Sequence, residues 1–554
     1  MKKAKKTKKK VMTKVRKKAA KKSAAGAAKP RALLKILPIF PVLALSKKAK
    51  YPKFEFKIEK EHALIQFPEG KDVDFTYTII PDFVKARVHY ERREARYDII
   101  EPELSEAEKE IYEKLTNAFL EVVDVELNAI RNTEKLIPYL EETIQKVALS
   151  LDIKLNEAQF KKIFYYIWRN FVGLNEIEPL LQDIYIEDIS CDGVGIPIFI
   201  VHRKYGELKT NIVFNDKKKL EDFIMKMAER CGRYISYAEP LLDATLPDGS
   251  RVQATYASDV TTRGPSFTIR KFREVPYSPV EIMELGTASP ELLAYLWLAI
   301  ENGASILIAG GTGTGKTSFL NALSLFIRPH AKIITIEDTR ELQLPHENWI
   351  ASVTRTGFAG EYGEITLFDL LKESFRQSPD YVIVGEVRGK EAYVLFQGMA
   401  SGIPALGTMH AGRVEDVIYR LQTPPIELSP ALLETLDVIA LLTHAHEIGP
   451  SARRVREVTE IEAVDPSTNK ARTNIAFSWI AADDSFSQRE YSWLLQKISQ
   501  LKGLTIDELR EDIAQRAALL KWAQKKGIRN YRDFANLIAE FYHDRAALMK
   551  KVMK

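Results

Sequence analysis

The pattern of apolar and polar positions predicts strands, then helices, then a further strand-rich section. Residues 51–100 mix short apolar segments with charged residues and show no strong period. Ser105 and Glu108 have capping-box spacing, and apolar residues then recur at every fourth position. This period predicts helices as far as about Val172, and residues 196–214 have the pattern of a β-hairpin.

Farther along, short apolar runs alternate with helical patterns. Three prolines at 270–290 favour an interdomain linker, and Ser289 with Pro290 predicts the start of the helix that follows. The alternation favours a parallel sheet flanked by helices, so the predicted fold class is α/β. After Pro466 the pattern becomes mostly helical, with helices predicted at 506–523 and 531–548. The apolar runs are Ser305–Ala309, Lys332–Ile336, Tyr381–Val384 and Ala405–Thr408.

The charge is distributed very unevenly. Residues 1–54 contain 20 of the 81 Lys and Arg residues and none of the 75 acidic ones, so the rest of the chain has a net charge of −14. This low-complexity basic segment predicts a disordered tail that binds anionic lipid or nucleic acid, with a solubilising extension as the alternative. The apolar stretch at 32–45 is too short to span a bilayer. We therefore expect a cytoplasmic protein, peripheral at the inner face of the cell membrane.

One segment carries a phosphate-binding motif. It has the pattern G-x-x-x-x-G-K-[ST], follows an apolar strand and precedes a helical pattern. Glycines let backbone N–H groups turn towards phosphates, and the helix start adds its positive dipole end. Lys316 is expected to neutralise the β- and γ-phosphates of ATP, and the Thr317 hydroxyl to hold Mg²⁺. The predicted nucleotide-binding residues are Gly310, Gly311, Thr312, Gly313, Thr314, Gly315, Lys316, Thr317 and Ser318.

Hydrolysis also requires an oriented water and stabilisation of developing charge. Two apolar strands end in carboxylates, one in Glu386 and one in Glu337, and such strand tips face the ligand crevice of open α/β sheets. One carboxylate is expected to serve Mg²⁺ and the other the water. Glu386 is the first choice for polarising water and is also a candidate metal ligand with Thr317, so the division of roles stays open. His410 follows a third strand and suits a donor to the γ-phosphate, although a structural histidine is the alternative.

These segments, in this order, resemble the secretion-type ATPases, which power type II secretion, type IV pili and the archaeal archaellum. The resemblance covers about residues 170–465. Its carriers are the loop Gly310–Thr317, the aspartate box at 336–342, the Walker B segment Val384-Gly385-Glu386-Val387-Arg388-Gly389 with glycine at the usual aspartate position, and the histidine box around His410. The family implies a RecA-like P-loop core with a parallel sheet, a small α/β (PAS-like) domain and a helical region before it, and a C-terminal helical extension.

The resemblance also implies arginines that reach the nucleotide from the preceding domain. The matching positions are Arg251, Arg263 and Arg270, and a surface or structural role is the alternative for each. Guanidinium groups stabilise the spreading charge of a transferring phosphoryl group, so domain closure would be coupled to catalysis. Two departures matter: two cysteines cannot form the tetracysteine zinc module of many members, and the histidine box lacks its second histidine.

By resemblance, the chain is expected to be a homohexamer that hydrolyses ATP and pushes on a membrane-embedded platform protein. The predicted client is an archaeal pilus-like filament, first the archaellum and next an adhesion pilus or a type II/IV secretion system. The alternative functions are a nucleic-acid-translocating ATPase and a non-hydrolysing scaffold. Because the chain outside residues 1–54 has a net negative charge, we expect it to bind no specific nucleic acid. The predicted units are a basic tail (1–50), a mixed and helical region (51–172), an α/β domain (173–272), a linker (273–290), the ATPase core (291–465) and the helical extension (466–554).

Overall fold

The computed structural model describes residues 67–68, 73–91, 94–122, 133–256, 259–355, 363–449 and 451–553. The predicted basic tail and the apolar stretch at 32–45 lie outside these residues. Across the described ranges, no helix combines the length and the apolar composition needed to cross a bilayer.

A nine-stranded sheet forms the first half of the described chain, in the order β1-β2-β3-β6-β5-β4-β9-β8-β7. Neighbouring strands are antiparallel except β3 and β6, which pair in parallel. The predicted hairpin is confirmed as β5 and β6. The strands are β1 (Asp74–Ile80), β2 (Val84–Glu91), β3 (Glu94–Ile100), β4 (Ile186–Cys191), β5 (Pro197–His202), β6 (Gly206–Val213), β7 (Leu241–Thr245), β8 (Arg251–Thr255) and β9 (Ser266–Arg270).

The β3–β6 pair joins two regions that the sequence pattern predicts as separate units. Arg96 pairs with Lys209 and Tyr97 with Thr210, so the first three strands continue the sheet of the following α/β domain. The predicted capping box is confirmed, because Ser105 N donates to Glu108 Oε2 at 2.9 Å. The helices of this half are α1 (Glu106–Val122), α2 (Thr133–Ser150), α3 (Glu157–Phe171), α4 (Glu178–Gln182) and α5 (Lys217–Arg230).

The second nine-stranded sheet has the order β12-β11-β13-β14-β10-β15-β16-β17-β18. The first six strands in this order, from β12 to β15, run parallel to one another, as predicted for the α/β core. The last three, β16, β17 and β18, are each antiparallel to the strand before them. The strands are β10 (Ile306–Gly310), β11 (Ile333–Glu337), β12 (Trp349–Val353), β13 (Tyr381–Val384), β14 (Ala405–His410), β15 (Val438–His444), β16 (Arg453–Val464), β17 (Ala471–Ile480) and β18 (Ser485–Gln488).

Helices cover both faces of this sheet and continue into the C-terminal extension. One face packs against a core that includes α7 and α14, and the other against α10 and α11. The helices are α6 (Pro279–Glu284), α7 (Pro290–Glu301), α8 (Lys316–Ser324), α9 (Leu367–Ser374), α10 (Glu391–Ala400), α11 (Val414–Gln422), α12 (Pro430–Leu433), α13 (Trp493–Lys502), α14 (Ile506–Lys525), α15 (Tyr531–His543) and α16 (Arg545–Val552).

The C-terminal part is mostly helical, as predicted, although β17 and β18 first extend the sheet from β16 after Pro466. One prediction about its helices is wrong. The single helix predicted at 531–548 is two helices, since Asp544 leaves the helical conformation with φ −146° and ψ 78°. Its side chain accepts a hydrogen bond from Ala547 N at 3.0 Å and thereby starts α16.

The register of the parallel strands brings their carboxyl ends to one edge. Gly310 pairs with His410, and Val384 pairs with both Ile336 and Gly407. Because β10, β11, β13 and β14 all end there, the phosphate-binding motif, both predicted carboxylates and the predicted histidine share this edge.

Candidate active site

The loop between β10 and α8 is shaped by glycines. Gly313 has φ 72° and Gly315 φ 85°, a left-handed conformation that side chains rarely adopt. At Gly310 the constraint is steric, since a Cβ there would lie 2.5 Å from Thr314 Oγ1 and 2.8 Å from the carbonyl oxygen of Leu442. The loop therefore needs glycine at these positions for physical reasons that are independent of any ligand.

Hydrogen bonds within the loop hold its curvature. Thr314 Oγ1 donates to the carbonyl of Gly311 at 3.0 Å, and Lys316 Nζ donates to the same oxygen at 2.7 Å. His444 Nε2 lies 3.1 Å from the carbonyl oxygen of Thr312. Burial lowers the pKa of Lys316, and the nearby charge of Glu386 partly offsets this effect. The ammonium group of Lys316, at the start of α8, is thus held against the loop and has N–H groups left for an anion.

A cleft of about 2740 Å³ lies between the first sheet and the loop. Ligand pockets commonly measure ≈ 300–1,000 Å³, so the cleft has room for a nucleotide before any closure. Gly310, Gly311 and Thr314 shape the loop without lining the cleft. The predicted residues in its wall are Thr312, Gly313, Gly315, Lys316, Thr317, Ser318, Glu386, His410, Arg251 and Arg270.

Glu386 lies just past the tip of β13 and faces the cleft. Arg388 Nη2 donates to its Oε2 at 2.6 Å, and Arg388 also lies 3.8 Å from Asp338. Burial tends to raise the pKa of Glu386, but the hydrogen bond from Arg388 and the charges of Arg388, Lys316 and His410 lower it overall. The carboxylate is therefore ionised at neutral pH and within electrostatic reach of the loop lysine.

Glu337 is placed differently from Glu386. It is 1% exposed and is not part of the cleft wall, and its Oε1 accepts from the backbone N–H groups of Glu341 and Leu342 at 2.9 Å each. Burial raises the pKa of Glu337 to about 7. A Cβ at Gly385 would lie 3.1 Å from the Cγ of Glu337, so glycine at the Walker B aspartate position makes room for this side chain.

The three predicted arginines are divided by the fold. Arg251 and Arg270 stand at the ends of neighbouring strands and line the cleft, whereas Arg263 is exposed in the loop before β9 and does not. Arg251 makes two bonds to Asp243 at 3.1 and 2.8 Å. Arg270 has one bond of 3.3 Å to Asp188, and its charge contributes to lowering the pKa of Lys316. Of the three, Arg270 is thus the one electrostatically coupled to the loop.

Residues 173–477, more than half of the chain, match the family profile described as Type II/IV secretion system protein. The chain belongs to this family. Residues 482–554 match a second profile, described as PilB3-like, C-terminal. The family match spans the α/β domain, the loop, the strand tips and β16, and the second match covers the C-terminal helices.

Relatives of the chain occur in archaea and bacteria. The uncharacterized protein MJ0900 of Methanocaldococcus jannaschii is 36% identical over 81% of this chain and 85% of its own. The type IV secretion system protein PtlH of Bordetella pertussis is 32% identical over 41% of this chain and 76% of its own. Among solved structures, the VirB11 ATPase of the Brucella suis type IV secretion system is 26% identical, with a TM-score of 0.27 over 51% of this chain and 92% of its own.

This member of the secretion family also has a bridge that motif reasoning did not predict. Arg453, the first residue of β16, donates to both carboxylate oxygens of Glu187 in β4, at 3.3 and 2.8 Å. A Cβ at Gly315 would lie 3.3 Å from the Cδ of Arg453, so the arginine touches the phosphate loop as well. No local pattern indicates this pair, because 266 residues separate its members.

The cleft residues fit ATP with Mg²⁺. The positive-φ glycines, the start of α8 and Lys316 form a cradle for phosphates, and Thr317 lines the cleft beside them. In the described part of the chain, no group of three or more His, Cys, Asp or Glu residues has the arrangement of a metal site. Mg²⁺ needs no such group, because it is usually held by one or two protein oxygens together with phosphates and water.

Proposed function

We propose that this family member is an ATP hydrolase that works as a homohexamer on an archaeal filament of the type IV pilus class. The observation that supports ATP hydrolysis is the cleft, where the phosphate loop, Glu386 and His410 of one sheet meet Arg251 and Arg270 of the other. The Thr317 hydroxyl would hold Mg²⁺, which would neutralise phosphate charge.

Residues of the chain itself would carry out the other steps of hydrolysis. Lys316 neutralises phosphate charge, and Glu386, ionised and at the cleft wall, orients and polarises the attacking water. His410 donates to the γ-phosphate, and Arg270 stabilises charge that develops during phosphoryl transfer. Arg270 is better suited than Arg251, because its side chain is 61% exposed and makes a single 3.3 Å bond, which can be exchanged readily. Glu337, which lies behind Gly385, holds the backbone of the aspartate box in this scheme.

The mechanical part of the proposal follows from the family. Binding of ATP between the two sheets would draw Arg270 towards the loop and close the domains, and hydrolysis would release them. This motion would act on a membrane-embedded platform protein, with the basic tail docking the ring at the anionic inner face of the membrane. The archaellum is the first candidate client, and an adhesion pilus or a type II/IV secretion system is the next.

Glutamine at position 386 tests the chemistry. The Glu386→Gln protein is expected to bind ATP with the wild-type affinity and to lose turnover by at least about 100-fold, since general-base groups contribute about 10²–10⁴-fold. Glu373→Gln is the matched control, because Glu373 is 62% exposed on α9 and pairs only with Arg376 among the described residues. Wild-type turnover in Glu386→Gln would contradict the assignment.

Two further measurements test the assembly and the class of motor. Mass photometry is expected to show six copies per particle, and a monomer under all nucleotide conditions would contradict the ring. ATP turnover is expected to be the same with and without DNA. Stimulation by single- or double-stranded DNA would favour the nucleic-acid motor instead.

Deletion of the gene in its host, followed by electron microscopy of surface filaments, identifies the client.

A further inference from the structure

Strand β15 ends beside the phosphate loop. It pairs in parallel with β10, and Gly310 at the tip of β10 lies opposite Leu442. His444, the last residue of β15, is two positions beyond Leu442 and therefore points to the same face of the sheet. Its half-buried imidazole lines the cleft, and its Nε2 lies 3.1 Å from the carbonyl oxygen of Thr312. The pairing of the two strands thus brings a histidine into contact with the loop.

The contact between His444 and the loop is a hydrogen bond with a defined direction. A carbonyl oxygen can only accept, so Nε2 of His444 carries the hydrogen and donates it to Thr312. The same ring covers the next residue, because a Cβ at Gly313 would lie 3.5 Å from Nε2 and 3.8 Å from Cε1. Across the described ranges, no other side chain from outside residues 310–318 bonds to the backbone of this segment.

A hydrogen bond to the Thr312 carbonyl also determines where the next N–H group points. In a planar trans peptide, the C=O of one residue and the N–H of the next point in opposite directions. Because the Thr312 carbonyl is held towards His444, the N–H of Gly313 points away from the imidazole. Gly313 lines the cleft, and its N–H has no hydrogen-bond partner within the part of the chain that the structure describes. Backbone N–H groups of this kind are the usual ligands of phosphate at such loops.

The strand that follows supports the loop in a different way. Arg453 of β16 pairs with His444 across the antiparallel pair of strands, and a Cβ at Gly315 would lie 3.3 Å from its Cδ. The guanidinium of Arg453, however, donates to Glu187 of the first sheet. Arg453 therefore packs against the loop, whereas His444 is the residue of this pair that bonds to its backbone.

We propose that His444 is a positioning residue of the phosphate loop, which holds the Thr312 carbonyl so that the N–H of Gly313 faces the phosphates of the bound nucleotide. The inference rests on the proposed function, because it requires phosphates in the Gly310–Thr317 loop. The loop holds the phosphates before and during hydrolysis alike. Loss of the histidine should therefore weaken nucleotide binding and leave the rate of the bound complex nearly unchanged.

Calorimetric titration and ATP turnover of the full-length protein test this role. His444→Leu is expected to weaken the binding of Mg²⁺–ADP and of Mg²⁺–pyrophosphate by the same factor, about threefold to tenfold, as for the loss of one hydrogen bond. In turnover assays, its KM for ATP should rise by a similar factor and its kcat should stay within about twofold of wild type. His444→Gln is expected to recover most of the affinity, because a side-chain amide can donate to the same carbonyl.

A second histidine of the same sheet provides the matched control. His346 is also half-buried and its Nε2 lies 3.1 Å from the carbonyl oxygen of Ile327, but it is not part of the cleft wall. His346→Leu removes the same kind of bond and should leave both affinities unchanged.

The outcomes are distinct. His444→Ala gives the same test where the leucine protein does not fold. Wild-type affinities in the His444 variants, an equal loss in His346→Leu, or no recovery in His444→Gln overturns the positioning role. A fall in kcat with unchanged KM also overturns it, because the imidazole would then act on the transition state. Wild-type protein that binds neither ligand overturns the proposed function itself.

Discussion

The ion pair between Glu187 and Arg453 should hold the two sheets together, and its removal should be measurable. Their side chains are 23% and 24% exposed, and Arg203 lies 3.8 Å from the same carboxylate. Burial tends to raise the pKa of Glu187, but the hydrogen bond from Arg453 and the charges of Arg453, Arg203 and Arg273 lower it overall. The carboxylate is therefore ionised at neutral pH and lies among three guanidinium groups.

The expected magnitude follows from this degree of burial. Exposed pairs contribute about 0–1 kcal/mol, and breaking a fully buried pair costs about 3–5 kcal/mol. A pair about three-quarters buried should lie between these limits, so Glu187→Gln is expected to lower the free energy of unfolding by about 2 kcal/mol. Because the pKa of Glu187 is lowered, this contribution is complete above the ordinary carboxyl pKa and is lost as the pH falls through the lowered value.

A double-mutant cycle measures the pair directly. Urea unfolding of wild type, Glu187→Gln, Arg453→Met and the double variant should give a coupling of about 1–2 kcal/mol. Asp188→Asn is the matched control on the same strand, because its partner Arg270 is 61% exposed, and it should change stability by less than about 0.5 kcal/mol. Additive effects of Glu187→Gln and Arg453→Met, or equal losses from Glu187→Gln and Asp188→Asn, would refute the reasoning from burial.

Three further changes have defined outcomes. Because the pKa of Glu337 is raised to about 7, the stability of the wild-type protein falls as the pH rises through 4.5–7. In urea unfolding, the stability of Glu337→Gln relative to wild type should therefore increase by up to about 3 kcal/mol between pH 5 and pH 8. A difference that does not change with pH would contradict this. Gly310→Ala places a Cβ 2.5 Å from Thr314 Oγ1 and should abolish ADP binding in calorimetry, whereas Gly412→Ala, with no atom within 4 Å, should not. Deleting residues 1–31 should weaken sedimentation with anionic liposomes and leave ATP turnover intact; equal sedimentation would remove the role of the tail.

The elements around the loop were predictable because their signals are local. Strand β10, the glycine loop and α8 form one continuous segment, and the tips of β13 and β14 are marked by the change from apolar to polar residues. The parallel register then places Glu386, His410 and the loop at one edge of the sheet. Their proximity follows from the α/β class, whereas their chemical roles remain predictions.

What the sequence did not reveal depends on pairing over long distances. Strand β16 has buried residues on both faces, so it lacks the alternation that identifies a half-buried strand, and β17 is exposed along much of its length. The β3–β6 pair joins segments more than a hundred residues apart. The Glu187–Arg453 bridge likewise has no local signature, although both residues stand in segments of charged sequence.

The covalent connection between the two sheets is firmly held on its first side. Lys271 N donates to the carbonyl of Glu187 at 2.9 Å, and its Nζ donates to the carbonyl of Leu180 at 3.1 Å. Phe272 N donates to Ser250 Oγ at 3.1 Å. These bonds attach the chain to the first sheet as far as Phe272.

Arg273, the next residue, is attached to elements that pack with the second sheet. The carbonyl of Arg273 accepts from Gln343, and its side chain bonds to Glu281 in α6, whose apolar residues belong to the core beneath the second sheet. Helix α6 occupies the middle of the predicted linker and packs with the core of the second sheet. We therefore expect a relative rotation of the two sheets to take place between Phe272 and Arg273. Arg273 lines the cleft, so a nucleotide bound there would lie close to this connection. Nucleotide binding would thereby act on the connection between the sheets directly, and also through Arg251 and Arg270 of the first sheet.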